Sequence, residues 1–303
     1  MQDWKDILRG QSSGFYVRLP REYGSREIFK AWDEENNVLE FPIVVDEVVT
    51  DQGLCQNQLE YQSLVQRAIQ TIGSGQCEKL VTSRIFKLES NDVAIETLVE
   101  KWISVFLDAF VFVLQHPEYG LWIGASPELL LYRNGRSLHS VALAGSKAKD
   151  DLSEWGDKER EEHEVVARMI KDTFIANGVS EVVGSETKVM NFRNVKHLCT
   201  DISGYYSGDF GGLVKSLYPT PALSGWPKWQ AIEWLCKNEP FQRGLYGGVL
   251  NFSEGPEQWS MVILRCCHKT SNGWLGHVGG GVMLDSEPEL EWQETEWKRQ
   301  AFI

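Results

Sequence analysis

Between Ala109 and Leu143 four strand-like segments follow one another at short spacing: Ala109 to Gln115, Leu121 to Ala125, Leu129 to Arg133 and Leu138 to Leu143. Each ends in turn residues, and Asn134-Gly135 is a strong two-residue hairpin signal, because both residue types reach positive φ at little cost. Strands joined this tightly pair antiparallel. Further strand patterns lie at Gly14 to Leu19, Val38 to Val45, Lys79 to Leu88, Glu186 to Phe192, Lys196 to Tyr206, Gly247 to Phe252, Trp259 to His268 and Trp274 to Val278. Helix patterns run from Asn57 to Ile72, from Asp92 to near Leu107 and over 157–175. Long antiparallel meanders with interspersed helices predict an α+β architecture. No repeat, low-complexity tract or long linker marks a domain boundary.

The composition, 42% hydrophobic and 24% charged over 303 residues, is that of an ordinary globular protein with a sizeable core. A net charge of −13 argues against nucleic acid or an anionic membrane as partner. It also means that an anionic substrate needs locally placed cations or a metal. The opening MQDWKDILRG has no apolar leader pattern, and the longest apolar run, near Phe106 to Leu114, is broken by Asp108 and too short to span a bilayer. Cys55, Cys77, Cys199, Cys236, Cys266 and Cys267 follow neither a CxxC pattern nor a disulfide-scaffold density. Reduced thiols in a cytoplasm are expected.

Charged residues near the C-terminus fall on one helical face. Glu291, Glu294 and Lys298 are spaced i, i+3, i+7, with Ser286 and Pro288 where an N-cap and a first-turn proline belong. Just upstream, Gly279-Gly280-Gly281 lets backbone amides approach a ligand. The same spacing suits a solvated charged helix face. A second segment, 157–175, is amphipathic, with Val165, Val166, Met169, Ile170 and Phe174 as its apolar stripe and Glu159 and Glu162 again at i, i+3. Two Glu-x-x-Glu helices can hold one hard divalent cation, Mg²⁺, Mn²⁺ or Ca²⁺ in preference to zinc. A di-iron bundle would want Glu-x-x-His, and the residue three before His163 is Arg160.

In order along the chain, Trp122-Ile-Gly-Ala-Ser-Pro-Glu128, Ala142-Leu-Ala-Gly-Ser146, Lys158-Glu-Arg-Glu-Glu-His163, Val195-Lys-His-Leu198, Leu217-Tyr-Pro-Thr-Pro-Ala222, Arg243-Gly-Leu-Tyr-Gly-Gly248, Val262-Ile-Leu-Arg265 and the Gly279-to-Lys298 stretch resemble the chorismate-utilising enzymes. These include isochorismate, salicylate, anthranilate and aminodeoxychorismate synthases. The resemblance runs from about residue 57 to the end. It implies an α+β fold of antiparallel sheets packed face to face with helices outside and a Mg²⁺-dependent site. It also implies a short N-terminal segment, 1–56, packed on a catalytic unit, 57–303. Lys147 replaces a common arginine, Gly280 a frequent alanine and Tyr218 a frequent His or Phe.

Members of that family differ in nucleophile, and three positions here match those that use water. Lys79 stands where the isochorismate and salicylate synthases carry lysine and the ammonia users usually glutamine. Ala144 stands where aminodeoxychorismate synthases can place a nucleophilic lysine. Pro219-Thr220-Pro221-Ala222 also resembles the water users. The implied reaction is isochorismate synthesis, with Lys79 as base on water at C2 and Glu128 as acid on the departing C4 hydroxyl. Mg²⁺ is held by Glu162 and Glu294, with Glu159 and Glu291 in reserve. The implied substrate contacts are Ala144, Gly145, His197, Thr220, Tyr246, Arg265, Gly279, Gly281 and Lys298. The only partner expected is the small molecule chorismate: no glutaminase subunit, no membrane, no nucleic acid, and a monomer. Isochorismate would feed menaquinone or siderophore synthesis, and the lack of fused partner domains inclines to menaquinone. Salicylate synthase is the nearest alternative, followed by anthranilate synthase and a non-catalytic chorismate-binding protein. Taken singly, Lys79 also reads as a strand-end lysine, Glu128 as a turn residue and His197 as a core histidine.

Overall fold

The hairpin at Asn134 forms, displaced by one residue. Asn134 pairs with Ser137, so the two-residue loop is Gly135-Arg136, with Gly135 at φ +59°. Burial sets this register: Leu131 and Leu138 are both fully buried, and a one-residue slip would turn one of them outward.

The computed structural model describes residues 3–42, 55–89 and 92–300. These residues form two eight-stranded sheets. The first runs in the order Gly225–Trp226, Lys79–Leu88, Gly273–Val282, Cys266–Thr270, Gly120–Ser126, Phe110–His116, Gly14–Arg18 and Glu27–Lys30. The second runs Lys188–Phe192, Val195–Tyr205, Ser137–Ala148, Leu129–Asn134, Glu257–Val262, Val249–Glu254 and Asn37–Leu39, with Ser180–Gly184 pairing Val195–Tyr205 off this path. Every pairing between these strands is antiparallel. Phe15, Phe112 and Trp122 of the first sheet share a core with Leu250, Phe252 and Trp259 of the second, so the sheets face each other. Helices cover the outside. Val99 and Trp102 of Asp92–Val105 pack on the first sheet, and Val166, Ile170 and Phe174 of Asp157–Ala176 pack on the second. The fold is α+β, as the strand pattern predicts. Among the described residues no helix is long and apolar enough to cross a membrane.

Three expectations change. Trp259 to His268 is two strands, Glu257–Val262 in the second sheet and Cys266–Thr270 in the first. The break is at Arg265, whose backbone sits at φ +46°, a costly conformation for a residue with a side chain. An unbroken apolar run carries no sign of such a turn. Only Asn37–Leu39 of the Val38–Val45 pattern is a described strand, and 43–54 lie outside the described residues. The C-terminal helix starts at Pro288, which puts its cap position on Glu287; the Ser286 hydroxyl instead donates to Glu291 Oε1 at 2.6 Å. The pattern also missed the helices Phe210–Leu217 and Lys228–Asn238.

Candidate active site

The chain passes between sheets at Ser126–Leu129 and again at Val262–Cys266, and these crossings carry Glu128 and Arg265. Together with the Gly279–Gly281 run they frame a cavity with about 710 Å³ of empty space, part of it open to solvent. Glu128, Ala144, Glu162, His197, Tyr246, Arg265, Gly279, Gly281 and Lys298 line it. Lys79 lies immediately behind Glu162. Gly145, Thr220, Glu159, Glu291 and Glu294 stand off its wall.

Lys79 opens the Lys79–Leu88 strand and is fully buried. Its Nζ is 3.1 Å from Glu162 Oε1 yet not aligned for a hydrogen bond. Burial lowers its pKa, with Glu162 opposing. Glu128 is 4% exposed, its backbone carbonyl held by the Val262 N–H at 3.0 Å. Burial pushes its carboxyl up to about 8, against the pull of Lys79, Arg265 and Lys298. The cavity thus joins an amine driven toward its neutral form and a carboxyl kept protonated near neutrality.

Around the other wall runs a directed hydrogen-bond chain. Arg265 Nη2 lies 3.2 Å from His197 Nε2, and a guanidinium can only donate, so Nε2 accepts. His197 Nδ1 therefore carries the proton and donates to Ser146 Oγ at 3.0 Å. The Ser146 hydroxyl lies toward Glu294 and helps to lower its pKa. Burial, then Arg265 and Lys298, holds His197 well below the usual imidazole range, so the ring stays neutral. Lys298 Nζ closes the circuit, donating to Glu294 Oε1 at 2.5 Å and to the Gly279 carbonyl at 2.7 Å. Burial lowers Arg265 to about 10, and its Nη1 has no hydrogen-bond partner among the described residues.

Glu162, Glu291 and Glu294 are all buried, and each faces a lysine. Lys158 Nζ is 2.9 Å from Glu291 Oε1 and 4.0 Å from Glu162 Oε2. Burial works against the Lys158 ammonium, but Glu291, Glu162 and Glu294 outweigh it and raise its pKa. Burial pushes Glu291 up to about 7 against Lys158, whereas in Glu294 burial is outweighed by Lys298 and Lys158 and the pKa falls. Among the described residues no three His, Cys, Asp or Glu side chains stand together so as to hold a metal ion as they lie. The donor set nevertheless fits a hard divalent cation: three carboxylates, with Glu291 Oε2 buried and without a hydrogen-bond partner among the described residues. The glycine run supplies the room, since a Cβ on Gly280 would stand 3.3 Å from Glu291 Oε2 and 3.4 Å from Glu294 Oε1. Glu159 is turned elsewhere: its Oε2 accepts from the Gly156 N–H at 3.0 Å and caps its own helix.

Gly145, at φ +73°, lets that helix approach, since a Cβ there would meet the Glu159 carbonyl at 2.7 Å. Thr220 is buried, and its hydroxyl has no hydrogen-bond partner among the described residues. Sequence reasoning did not single out Ser146, Lys158, Glu239 or the buried role of Arg243. Lys158 carried a signal, being i−4 to Glu162 on the helix face that bears the carboxylates.

A family model described as "chorismate binding enzyme" matches residues 27–303. Isochorismate synthase EntC of Escherichia coli (strain K12) is 30% identical over 271 residues, covering 84% of this chain and 69% of that protein. Isochorismate synthase MenF of Bacillus subtilis (strain 168) is 29% identical over 256 residues, covering 79% of this chain and 54% of that one. Among solved structures, DhbC from Bacillus anthracis superposes with a TM-score of 0.74 at 24% identity, over 99% of this chain and 85% of its own. On the extent of the family match and the identity to EntC, the chain belongs to the chorismate binding enzyme family.

Proposed function

We propose that the protein is a Mg²⁺-dependent isochorismate synthase, converting chorismate to isochorismate by addition of water at C2 and loss of the C4 hydroxyl. The observation that carries this reading is that one cavity brings buried Glu128 together with Glu162, whose carboxylate faces buried Lys79 at 3.1 Å, with burial favouring the neutral amine and the neutral acid. Lys79 takes the proton from the attacking water, and Glu128 gives one to the departing hydroxyl. Arg265 and Lys298 bind the enolpyruvyl carboxylate, the guanidinium as a fork and the ammonium as a point charge. His197, fixed as the Nδ1–H tautomer by Arg265, holds that guanidinium and Ser146 in place. Glu162, Glu291 and Glu294 would hold the cation, which when bound neutralises the ring carboxylate and draws charge from the ring. Identity to EntC and MenF supports the same reaction class.

The test is purified protein with chorismate and MgCl₂, products separated by chromatography, with and without ammonium and with excess chelator. Isochorismate that disappears with chelator is the expected result. Salicylate with pyruvate would move the assignment to salicylate synthase, an ammonium-dependent amino product to the anthranilate branch, and no product to a binding protein.

A further inference from the structure

His277 has no part in the chemistry above, and its surroundings are unusual. It lies two residues before Gly279 on the Gly273–Val282 strand, so its side chain projects to the same face as the Gly279 position and forms part of the cavity wall. The ring is 1% exposed and stacked between Tyr246, centroids 5.2 Å apart, and Trp122, at 5.4 Å. Its Nε2 is 3.0 Å from His268 Nδ1, while its Nδ1, equally buried, has no hydrogen-bond partner among the described residues. Burial, with His268 and Arg243 adding, keeps the ring well below the usual imidazole range, hence neutral with one donor and one acceptor. A buried polar atom left unmatched is unfavourable, and one in the wall of a binding cavity can be matched by the ligand.

We propose that His277 is a substrate-binding residue that donates from Nδ1–H to the enolpyruvyl carboxylate of chorismate, and that His268 is the positioning residue that sets its tautomer. This rests on the chorismate reading given above. The ligand group follows from the company His277 keeps. Tyr246, stacked on it, interacts electrostatically with Arg265, whose Nη1 is likewise buried and unpartnered. Two unmatched nitrogens and a phenol on the wall of one cavity suit an anionic oxygen pair. A carboxylate only accepts, so binding selects the Nδ1–H form of His277, and Nε2 then accepts from His268 Nδ1–H.

The test is initial-rate kinetics on chorismate with MgCl₂ for the wild type and for His277→Phe, His277→Asn and His268→Phe, each checked for a wild-type-like melting transition. His277→Phe keeps the stacked shape and removes both nitrogens. Its KM should rise about 10-fold or more with kcat within about 3-fold, the pattern of lost binding common to ground and transition states. His277→Asn, which keeps an N–H near the Nδ1 position, should recover most of that loss. His268→Phe should raise KM about 3-fold. An unchanged KM in His277→Phe, or a fall in kcat alone, overturns the proposal. If that variant does not fold, an unchanged KM in His268→Phe overturns it instead. A wild type that leaves chorismate unchanged sinks the functional reading and this inference with it, whereas an active wild type matched by His277→Phe sinks the inference alone.

Discussion

Lys79 Nζ and Glu162 Oε1 face each other at 3.1 Å, one from the first residue of a strand in the first sheet, the other from the helix packed on the second. Neither side chain has appreciable access to solvent. Burial penalises the ammonium and Glu162 favours it, so the carboxylate that keeps Lys79 near its working range is also one of the proposed metal ligands. Lys79→Ala should lower kcat by about 10³-fold, the scale of a lost general base, while chorismate still binds in equilibrium dialysis. Glu162 then keeps only Lys158, 4.0 Å away, and loss of the closer cation should cost about 1–3 kcal/mol of stability. Near-normal turnover would remove Lys79 as the base.

Glu128 ties both activity and stability to pH, and each falls as pH rises. Its folded pKa of about 8 lies above the unfolded value of about 4.3. Its contribution is therefore intact below about pH 4, is lost as pH rises through 8, and near pH 7 amounts to a cost of about 4 kcal/mol. Glu128→Gln, neutral throughout, should melt higher than wild type at pH 7 to 8 and match it near pH 4. The same variant should lose about 10²-fold or more in kcat. In the wild type, kcat/KM should fall above about pH 8 as Glu128 gives up its proton. Equal melting curves at pH 8 would show that Glu128 is not held neutral.

Most of the sheet content was legible because half-buried strands carry a period of two and their turns carry Gly, Asn or Pro. The split of Trp259 to His268 was not, because both halves are buried and read as one apolar run. The turn between them rests on Arg265 in a positive-φ conformation that its residue type does not announce. Helices Phe210–Leu217 and Lys228–Asn238 are short and lie among Gly and Pro, so turn signals masked them. At the site, Glu162, Glu291 and Glu294 were legible as a helical spacing. Glu159 shares that spacing but serves its own helix N-terminus, and sequence alone cannot separate a cap from a ligand. Lys298 faces Glu294 within one helix, a legible spacing, but the pairings of Glu162 with Lys79 and of Glu291 with Lys158 are long-range and only the packed sheets and helices reveal them.

Arg243 and Glu239 form a buried pair four residues apart across the end of the Lys228–Asn238 helix. Arg243 donates to Glu239 at 2.8 and 2.7 Å and to the carbonyls of Leu223 at 2.8 Å and Val81 at 2.6 Å, and Glu239 also accepts from Ser83 N and Oγ at 2.8 Å each. Arg243→Met strands a carboxylate and two carbonyls in the interior, at a cost of about 3–5 kcal/mol. The melting midpoint should fall by roughly 5 °C or more. The double variant Arg243→Met/Glu239→Leu should recover part of the loss, because it removes the orphaned charge. A single variant that melts like wild type would mean that the pair carries no structural weight.

Gly280 and Gly281 are adjacent in sequence and differ in what they can tolerate. A Cβ on Gly280 would meet Glu291 Oε2 at 3.3 Å and Glu294 Oε1 at 3.4 Å, a crowding that two side-chain ends relieve by small shifts. A Cβ on Gly281 would stand 2.0 Å from Glu162 Oε1 and 3.0 Å from Lys79 Cε, so it cannot coexist with the present positions of the proposed ligand and base. Neither residue needs a positive φ, which leaves the clash as the whole effect. Gly280→Ala should keep its MgCl₂ requirement and kcat within about 3-fold of wild type, whereas Gly281→Ala should raise the MgCl₂ needed for half-maximal rate about 10-fold or more and depress kcat. Titrating initial rates against MgCl₂ for both variants separates them. Equal behaviour of the two would place the cation away from Glu162, and a silent Gly281→Ala would remove that carboxylate from the ligand set.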